Sequence, residues 1–306
     1  MTSSLTTLGR TIRHRLTRAT PGPASSVFED EFEQPGSAKS EMWRSALSQF
    51  AVAILLLVIA AVLWEIIKLV TGTDSIKMPH VWDIVGYYGS ETSQGENFTM
   101  FLLRNVWSTG KGAAIGLGVG ATCGLISGIV IARSRLIAIG LMPLIVAAQA
   151  VPIVALAPAL VLWLGTGGST KAMIAAYLTF FPITVATARG IQAVPTDSRD
   201  LLRTYGASKR TILTTLEVPF ALPLMFVGLE TAAAFSVVGA IVAELPFGSK
   251  DGLGVVILTS WQFFIFEPRA LYAAAIGACA LGAVFVLLIR GIGFFALGHR
   301  RQGEVL

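Results

Sequence analysis

The chain has 306 residues, 54% of them hydrophobic and only 13% charged, with a formal net charge of +5. A soluble domain carries about 25% charged residues, so the composition excludes an ordinary soluble enzyme and points to an integral membrane protein. Two cysteines in apolar stretches, Cys123 and Cys279, and three scattered histidines, His14, His80 and His299, offer neither a disulfide framework nor a metal-ligand cluster.

Residues 1–42 are polar, with Arg10, Arg13, Arg15 and Arg18 ahead of an acidic FEDEFE run at 28–33. A cleavable signal peptide would open on an apolar run, so none is expected. The PGPASS stretch between them reads as turn-like and disordered. Leu5, Leu8, Ile12 and Leu16 recur at helical spacing, with the basic residues largely off that stripe. This fits either a basic amphipathic helix on a membrane surface or a solvated tail. The chain divides into a mostly disordered tail at 1–44, a membrane domain at 45–298 and a short tail at 299–306.

A span needs roughly 20 mostly apolar residues. The first is expected at 46–67. The second is expected at 113–132, with its start uncertain toward Val106. It carries Gly112, Gly116, Gly120, Gly124 and Gly128, one every fourth residue. In a helix these form a stripe without side chains, against which another helix can pack closely or slide. The third, 137–164, is longer than a bilayer requires and holds Pro143, Pro152 and Pro158, each of which removes a backbone donor. A break is expected at 150–152, its freed polar groups facing protein or a water-filled cavity. Gln149 beside it either bonds that backbone or lines a solute path.

Spans four to six are expected at 172–188, 220–245 and 271–289. Glu230 falls near the middle of the fifth, where an ionisable group marks a candidate site. It either lines the path or pairs with a polar group such as Gln149 or Thr184. Glu244 closes that span, ahead of the Gly252-Leu253-Gly254 turn. The apolar stretch 255–266 is too short to cross and reads as interfacial or re-entrant.

The loop between spans four and five is the most polar passage of the second half. Asp197 reads as a helix N-cap with Asp200 in the first turn. Residues 198–205 then make about two turns, which Gly206 can end in a left-handed conformation. A second helical run at 208–217 leads to Pro219, in the first turn of span five. Placing the N-terminus in the cytoplasm puts 16 Lys and Arg on the cytoplasmic side against 7 outside: Lys68, Lys77, Arg104, Lys111, Lys171, Lys250 and Arg269. The positive-inside rule then puts both termini and this loop in the cytoplasm. The same asymmetry explains the basic charge without nucleic acid.

The loop's spacing resembles the signature of ATP-binding-cassette (ABC) importer permeases: Glu-Ala-Ala, three residues, Gly, nine residues, Ile, one residue, Leu-Pro. Asp200-Leu201-Leu202, Gly206, Leu216 and Val218-Pro219 fit that register without a gap, the departure being Leu-Leu for Ala-Ala. RTYGAS at 203–208, VPIVALAPALVLWLGTG at 151–167, FFPITVATARG at 180–190 and GAIVAELPFGSKDGLG at 239–254 are similar to the nitrate/sulfonate/taurine branch. The resemblance covers about 101–289.

It implies an all-α membrane protein of six transmembrane helices, with the type I ABC importer permease fold, a broken third span and a cytoplasmic coupling helix. It implies a multi-pass protein of the cell membrane with no catalytic residue, no metal and no cofactor of its own, ATP-Mg being held by a partner ATPase. The implied partners are an ATPase dimer, a second copy of the permease, an extracytoplasmic solute-binding protein and the lipid. ATPase coupling would fall to Asp200, Leu201, Leu202, Arg203, Gly206, Ala207, Ser208, Lys209, Arg210 and Pro219. The path or gate would fall to Gln149, Pro152, Glu230 and Glu244; the family has an acid at the place of Glu244. The implied function is import of a sulfonate, taurine, nitrate, thiamine precursor or riboflavin-like solute. A membrane scaffold or receptor without transport is the alternative.

Overall fold

The computed structural model describes residues 37–92, 95–245 and 249–298. The tail features expected before residue 37 and at 299–306 lie outside the described residues. The described residues are helical, with no strand beyond a bridge between Glu91 and Asn97.

Helix α1, Ser37–Thr71, begins inside the segment assigned to the tail. Its stretch Ala51–Thr71 is long and apolar enough to cross a membrane. Residues from 68 onward form a separate compact unit. That unit opens with a short helix α2, Val81–Tyr87.

Helix α3, Phe98–Arg133, runs for 36 residues, or about 54 Å at 1.5 Å per residue. Asn97 caps it, its side chain accepting from the Thr99 amide at 2.9 Å. The helix starts 15 residues before the expected 113, because Arg104, Asn105, Ser108 and Lys111 interrupt the apolar run without interrupting the helix.

The third span is broken where the prolines predict. Helix α4, Arg135–Ala148, and helix α5, Ile153–Leu164, meet at 90°. Pro152 stands at the N-cap of α5 with φ −65°, the angle its ring imposes. Helix α6, Gly168–Gln192, follows.

The loop contains helix α7, Thr196–Thr204, and helix α8, Lys209–Ile212. A π-helical turn, Leu213–Glu217, carries α8 into helix α9, Val218–Glu244. One shorter reading is corrected here. The N-cap of α7 is Pro195 rather than Asp197, which lies within the first turn; Asp200 is in the second turn. Pro219 lies in the first turn of α9, as the sequence predicts, with the π-helical turn joining that helix to α8. The wider π turn ends two residues before this proline, which has no amide proton to donate.

Helix α10, Leu253–Gln262, is too short to span, and helix α11, Pro268–Gly298, ends the described chain. Among the described residues five helices can cross a membrane by length and composition, and the α4–α5 pair makes a sixth if its halves form one span.

Helix α6 is the centre of the compact unit, with α3 on one side and α9 on another. The glycine stripe of α3 lies against it. A Cβ at Gly128 would come 2.6 Å from the Thr187 Cβ, and one at Gly124 would meet the Phe180 carbonyl at 2.9 Å. Gly116 and Gly120 face Ala175 and Thr179 more closely still. The close partner that the stripe predicts is therefore α6 of the same chain. On the α9 side Gly239 repeats the device, its added Cβ falling 2.8 Å from the Ala175 Cα. Helices without side chains at the seam approach until backbones touch, which is what packs helices in lipid.

Candidate functional site

Two polar constellations sit at opposite ends of α6. At its N-terminal end, the Nζ of Lys171 lies 2.9 Å from Glu244 Oε1, at the last residue of α9. Both residues are buried. The Thr109 hydroxyl of α3 donates to the same carboxylate at 2.8 Å and accepts from the Leu253 amide at 2.8 Å. The Gly254 amide donates to Glu244 Oε2 at 2.7 Å, and the Gly252 amide to Asn105 Oδ1 at 2.7 Å. Lys171 also donates to the Ser108 hydroxyl and to the Asp251 carbonyl, both at 2.9 Å.

These bonds tie α3, α6 and α9 to the turn that starts α10. Gly252 is required in that turn: its φ is +125°, and a Cβ there would run into the Glu244 carboxylate. Burial pushes the pKa of Asp251 up, but the charge of Lys171, hydrogen bonds from Ser108 and Lys171 and the charge of Lys111 together hold the carboxyl below its ordinary range. Of the two roles open to Glu244, the arrangement displays the holding of the 252–254 turn.

Lys171, counted among the loop cations, is a correction. Helix α6 starts at Gly168, ahead of the expected 172, and draws the lysine into its first turn. A cation is disfavoured at a helix N-terminus and in an apolar interior. The partners just named offset both costs.

At the other end of α6 the loop is clamped by Arg199. Its Nε donates to Glu217 Oε1 at 2.9 Å, its Nη1 to the Val194 carbonyl at 3.1 Å, and its Nη2 to the Ile191 carbonyl. One guanidinium thus satisfies the carbonyl end of α6 and pairs with the base of α9. The Ile191 carbonyl belongs to the last turn of α6, where a helix leaves acceptors open, and Val194 follows just past its end. The planar fork makes three directed bonds at once.

Helix α7 ends as the sequence predicts. Gly206 takes φ +75°. Its amide donates to the Arg203 carbonyl at 2.9 Å and the Ala207 amide to the Leu202 carbonyl at 3.0 Å, the bond pair of a Schellman cap. Ser208 then caps α8, accepting from the Thr211 amide at 3.1 Å. Asp200 pairs with Arg203 at 2.9 Å on the exposed surface. Leu201 and Tyr205, four residues apart and so on one face, are 57% and 80% exposed. Lys209 and Arg210 are exposed as well.

The candidate path residues are not drawn together by hydrogen bonds. Gln149 is exposed at the α4–α5 break. At the break the Ala148 carbonyl accepts from the Tyr177 hydroxyl of α6 at 2.9 Å and from the Val151 amide at 3.2 Å. Glu230 is half-buried on α9, and among the described residues it has no ion-pair or hydrogen-bond partner. The Thr184 hydroxyl is spent on the Phe180 carbonyl of its own helix.

Sequence reasoning missed Lys171, Arg199, Glu217, Thr109, Asn105 and Tyr177. The first three looked like ordinary charges of loop ends. One signal was available: Lys171 is separated from the apolar run of α6 by no turn residue.

Residues 120–296 match the family of the binding-protein-dependent transport system inner membrane component. The chain is 37% identical over 181 residues to a probable ABC transporter permease protein of Haemophilus influenzae, covering 58% of this chain and 74% of that one. It is 33% identical over 185 residues to the formylaminopyrimidine transport permease protein ThiX of Halalkalibacterium halodurans, covering 60% and 69%. It is 34% identical over 152 residues to the riboflavin transport system permease protein RibX of Chloroflexus aurantiacus, covering 50% and 55%. With more than half of its length matched, and with helices fit to cross a membrane several times, the chain belongs to the binding-protein-dependent inner membrane component family and is a multi-pass ABC transporter permease, not an enzyme.

Proposed function

We propose that the chain is the membrane subunit of an ATP-driven importer that moves a small solute into the cytoplasm by alternating access. Two copies pair. Each rests through the 194–217 loop on one subunit of an ATPase dimer, which holds ATP with magnesium. A solute-binding protein docks on the opposite face. The loop and both termini are cytoplasmic.

The observation that carries this reading is α7. It is short and polar, yet exposes Leu201 and Tyr205 on one face, which suits the apolar floor of a partner's groove. Arg199 fixes it to the ends of both α6 and α9. A rigid element anchored in this way can pass a rigid-body shift of the ATPase to the spans. Asp200, Arg203, Ala207, Lys209 and Arg210 ring the contact, while Gly206, Ser208 and Pro219 shape the chain around it.

The solute comes from the set carried by this branch: a sulfonate, taurine, nitrate, a thiamine precursor or a riboflavin-like compound. Glu230 inclines the choice. A half-buried acid without a partner among the described residues would repel a simple anion if it lined the path with Gln149 and Pro152. An uncharged heterocycle is therefore favoured over nitrate or a sulfonate.

The test of sidedness uses a chain with Cys123 and Cys279 replaced by serine. Single cysteines at Ser208→Cys and Lys250→Cys should react with a membrane-impermeant reagent from the inside and the outside of sealed cells respectively. Reaction of both from the outside would refute the orientation.

A further inference from the structure

A cleft of about 390 Å³ opens between α7, the start of α8, and the ends of α3 and α6. Its volume is that of a small-molecule site, about 300–1,000 Å³. Arg133, Gln192, Arg199, Arg203, Lys209 and Glu217 supply its polar lining. Four of these six are cations and one is an acid.

The cations are not equivalent. Arg199 is spent on Glu217 and on the carbonyls of α6, and Arg203 leans on Asp200. Arg133 and Lys209 have no acid among the described residues. Arg133 instead donates from Nη2 to the backbone carbonyl of Lys209 at 3.2 Å. This bond ties the end of α3 to the start of α8, and both cationic residues, 76 positions apart in sequence, line the cleft. Arg133 and Lys209 are both exposed at the cleft, and like charges in a concavity concentrate a field that attracts an anion.

The place of the cleft in the chain points to the anion. Its walls are the last residues of α3 and α6 and the helical lead into α9, at the polar ends of helices long and apolar enough to cross a membrane. We propose that the cleft binds the phosphate of an anionic phospholipid of the inner leaflet. The leaflet rests on the orientation proposed above. Arg133 presents a planar fork that matches two phosphate oxygens, and Lys209 adds a point charge beside it. Basic pockets between membrane helices at the cytoplasmic side suit such head groups. A free phosphate carries the same chemistry but has no reason to sit at these helix ends. A lipid held there would link the end of α3 to the loop that α7 belongs to. Loop movement would then depend on the lipid.

The test is titration of the purified full chain, in non-ionic detergent, with dioctanoyl phosphatidylglycerol followed by native mass spectrometry. Dioctanoyl phosphatidylcholine and inorganic phosphate serve as comparison ligands. Wild type should bind phosphatidylglycerol more tightly than either. Arg133→Gln should weaken that binding about fivefold and the pair Arg133→Gln with Lys209→Gln about 30-fold, from the attraction per cation near a membrane surface. Arg104→Gln, at the other end of α3, should leave it unchanged. Rising ionic strength should weaken wild-type binding of phosphatidylglycerol but not of phosphatidylcholine, a readout that needs no variant.

Equal binding of the two lipids, or an unchanged affinity in the double variant, would overturn the proposal. Inorganic phosphate bound as tightly as the lipid would move the anion to solution and contradict the lipid assignment. An ATPase subunit that binds the double variant weakly without lipid, while phosphatidylglycerol binding stays at the wild-type level, would give the cleft to partner carboxylates. Outside labelling of Ser208→Cys would refute the orientation while leaving the binding ratios intact, so the two failures are distinguishable.

Discussion

Lys171 and Glu244 meet at 2.9 Å with side-chain exposures of 5% and 0%, and each is the other's principal counter-charge. The pair joins the first turn of α6 to the last residue of α9. Removing one partner leaves the other charged and buried, which costs about 3–5 kcal/mol. Lys171→Met should therefore sharply lower the temperature at which the detergent-solubilised protein loses its monodisperse elution peak. Adding Glu244→Gln should recover part of the loss, because the amide keeps bonds to Gly254 and Thr109 without the orphaned charge. A double variant no better than Lys171→Met would show that the charge pairing is not what holds this end together.

Gly120 and Gly118 make a matched comparison on α3. A Cβ at Gly120 would strike Thr179 and the Ala176 carbonyl, whereas at Gly118 nothing lies within 4 Å. Gly120→Ala should push α3 from α6 and destabilise by about 1–3 kcal/mol. Gly118→Ala should be neutral or slightly stabilising, by at most about 1 kcal/mol. The two variants should separate clearly in thermal unfolding followed by fluorescence. Equal behaviour would mean that the stripe is not the seam between these helices.

Arg199 reaches three acceptors from one guanidinium. Arg199→Lys keeps the charge but cannot make the fork, so it should loosen the loop nearly as much as Arg199→Ala. Limited proteolysis between residues 194 and 217 should quicken several-fold in both variants. If lysine restores wild-type resistance, charge alone secures the loop.

Gly206 is left-handed, and nothing crowds the position where its Cβ would be. A non-glycine residue there costs roughly 1 kcal/mol of backbone strain, too little to unfold the chain. Gly206→Leu should insert and purify normally, yet lose solute-stimulated ATP hydrolysis once assembled with its ATPase. Normal stimulation in this variant would argue against the loop as the coupling element.

How much of this was legible depended on whether a residue's signal was local. The break at 149–152 could be read because proline removes a donor wherever it sits, and the turn at Gly206 because the helical pattern stops at a residue tolerant of positive φ. The α3–α6 contact was half legible. The stripe announced a close neighbour but not which one, since the partner's matching residues are Ala175, Thr179 and Thr187, which look ordinary in sequence. In sequence Lys171 and Arg199 look like ordinary loop cations, because a charge near an apolar run carries no mark of the acid it will meet 73 or 18 positions later. The early start of α3 was hidden for a related reason. Arg104, Asn105 and Ser108 lower the hydropathy of a stretch that is nonetheless helical, and two of them serve the turn at 252–254 or its lysine.

The central claim is that this chain imports a solute at the expense of ATP through the loop that holds α7. The most direct test is uptake by proteoliposomes that contain the chain, its ATPase and its solute-binding protein, oriented by which side receives ATP. Uptake should require all three proteins and ATP on the loop side, and should fall at least tenfold when Leu201 and Tyr205 are both replaced by aspartate, with the membrane-inserted amount unchanged. Uptake that persists without the ATPase, or that survives the double replacement at the wild-type rate, would contradict the account.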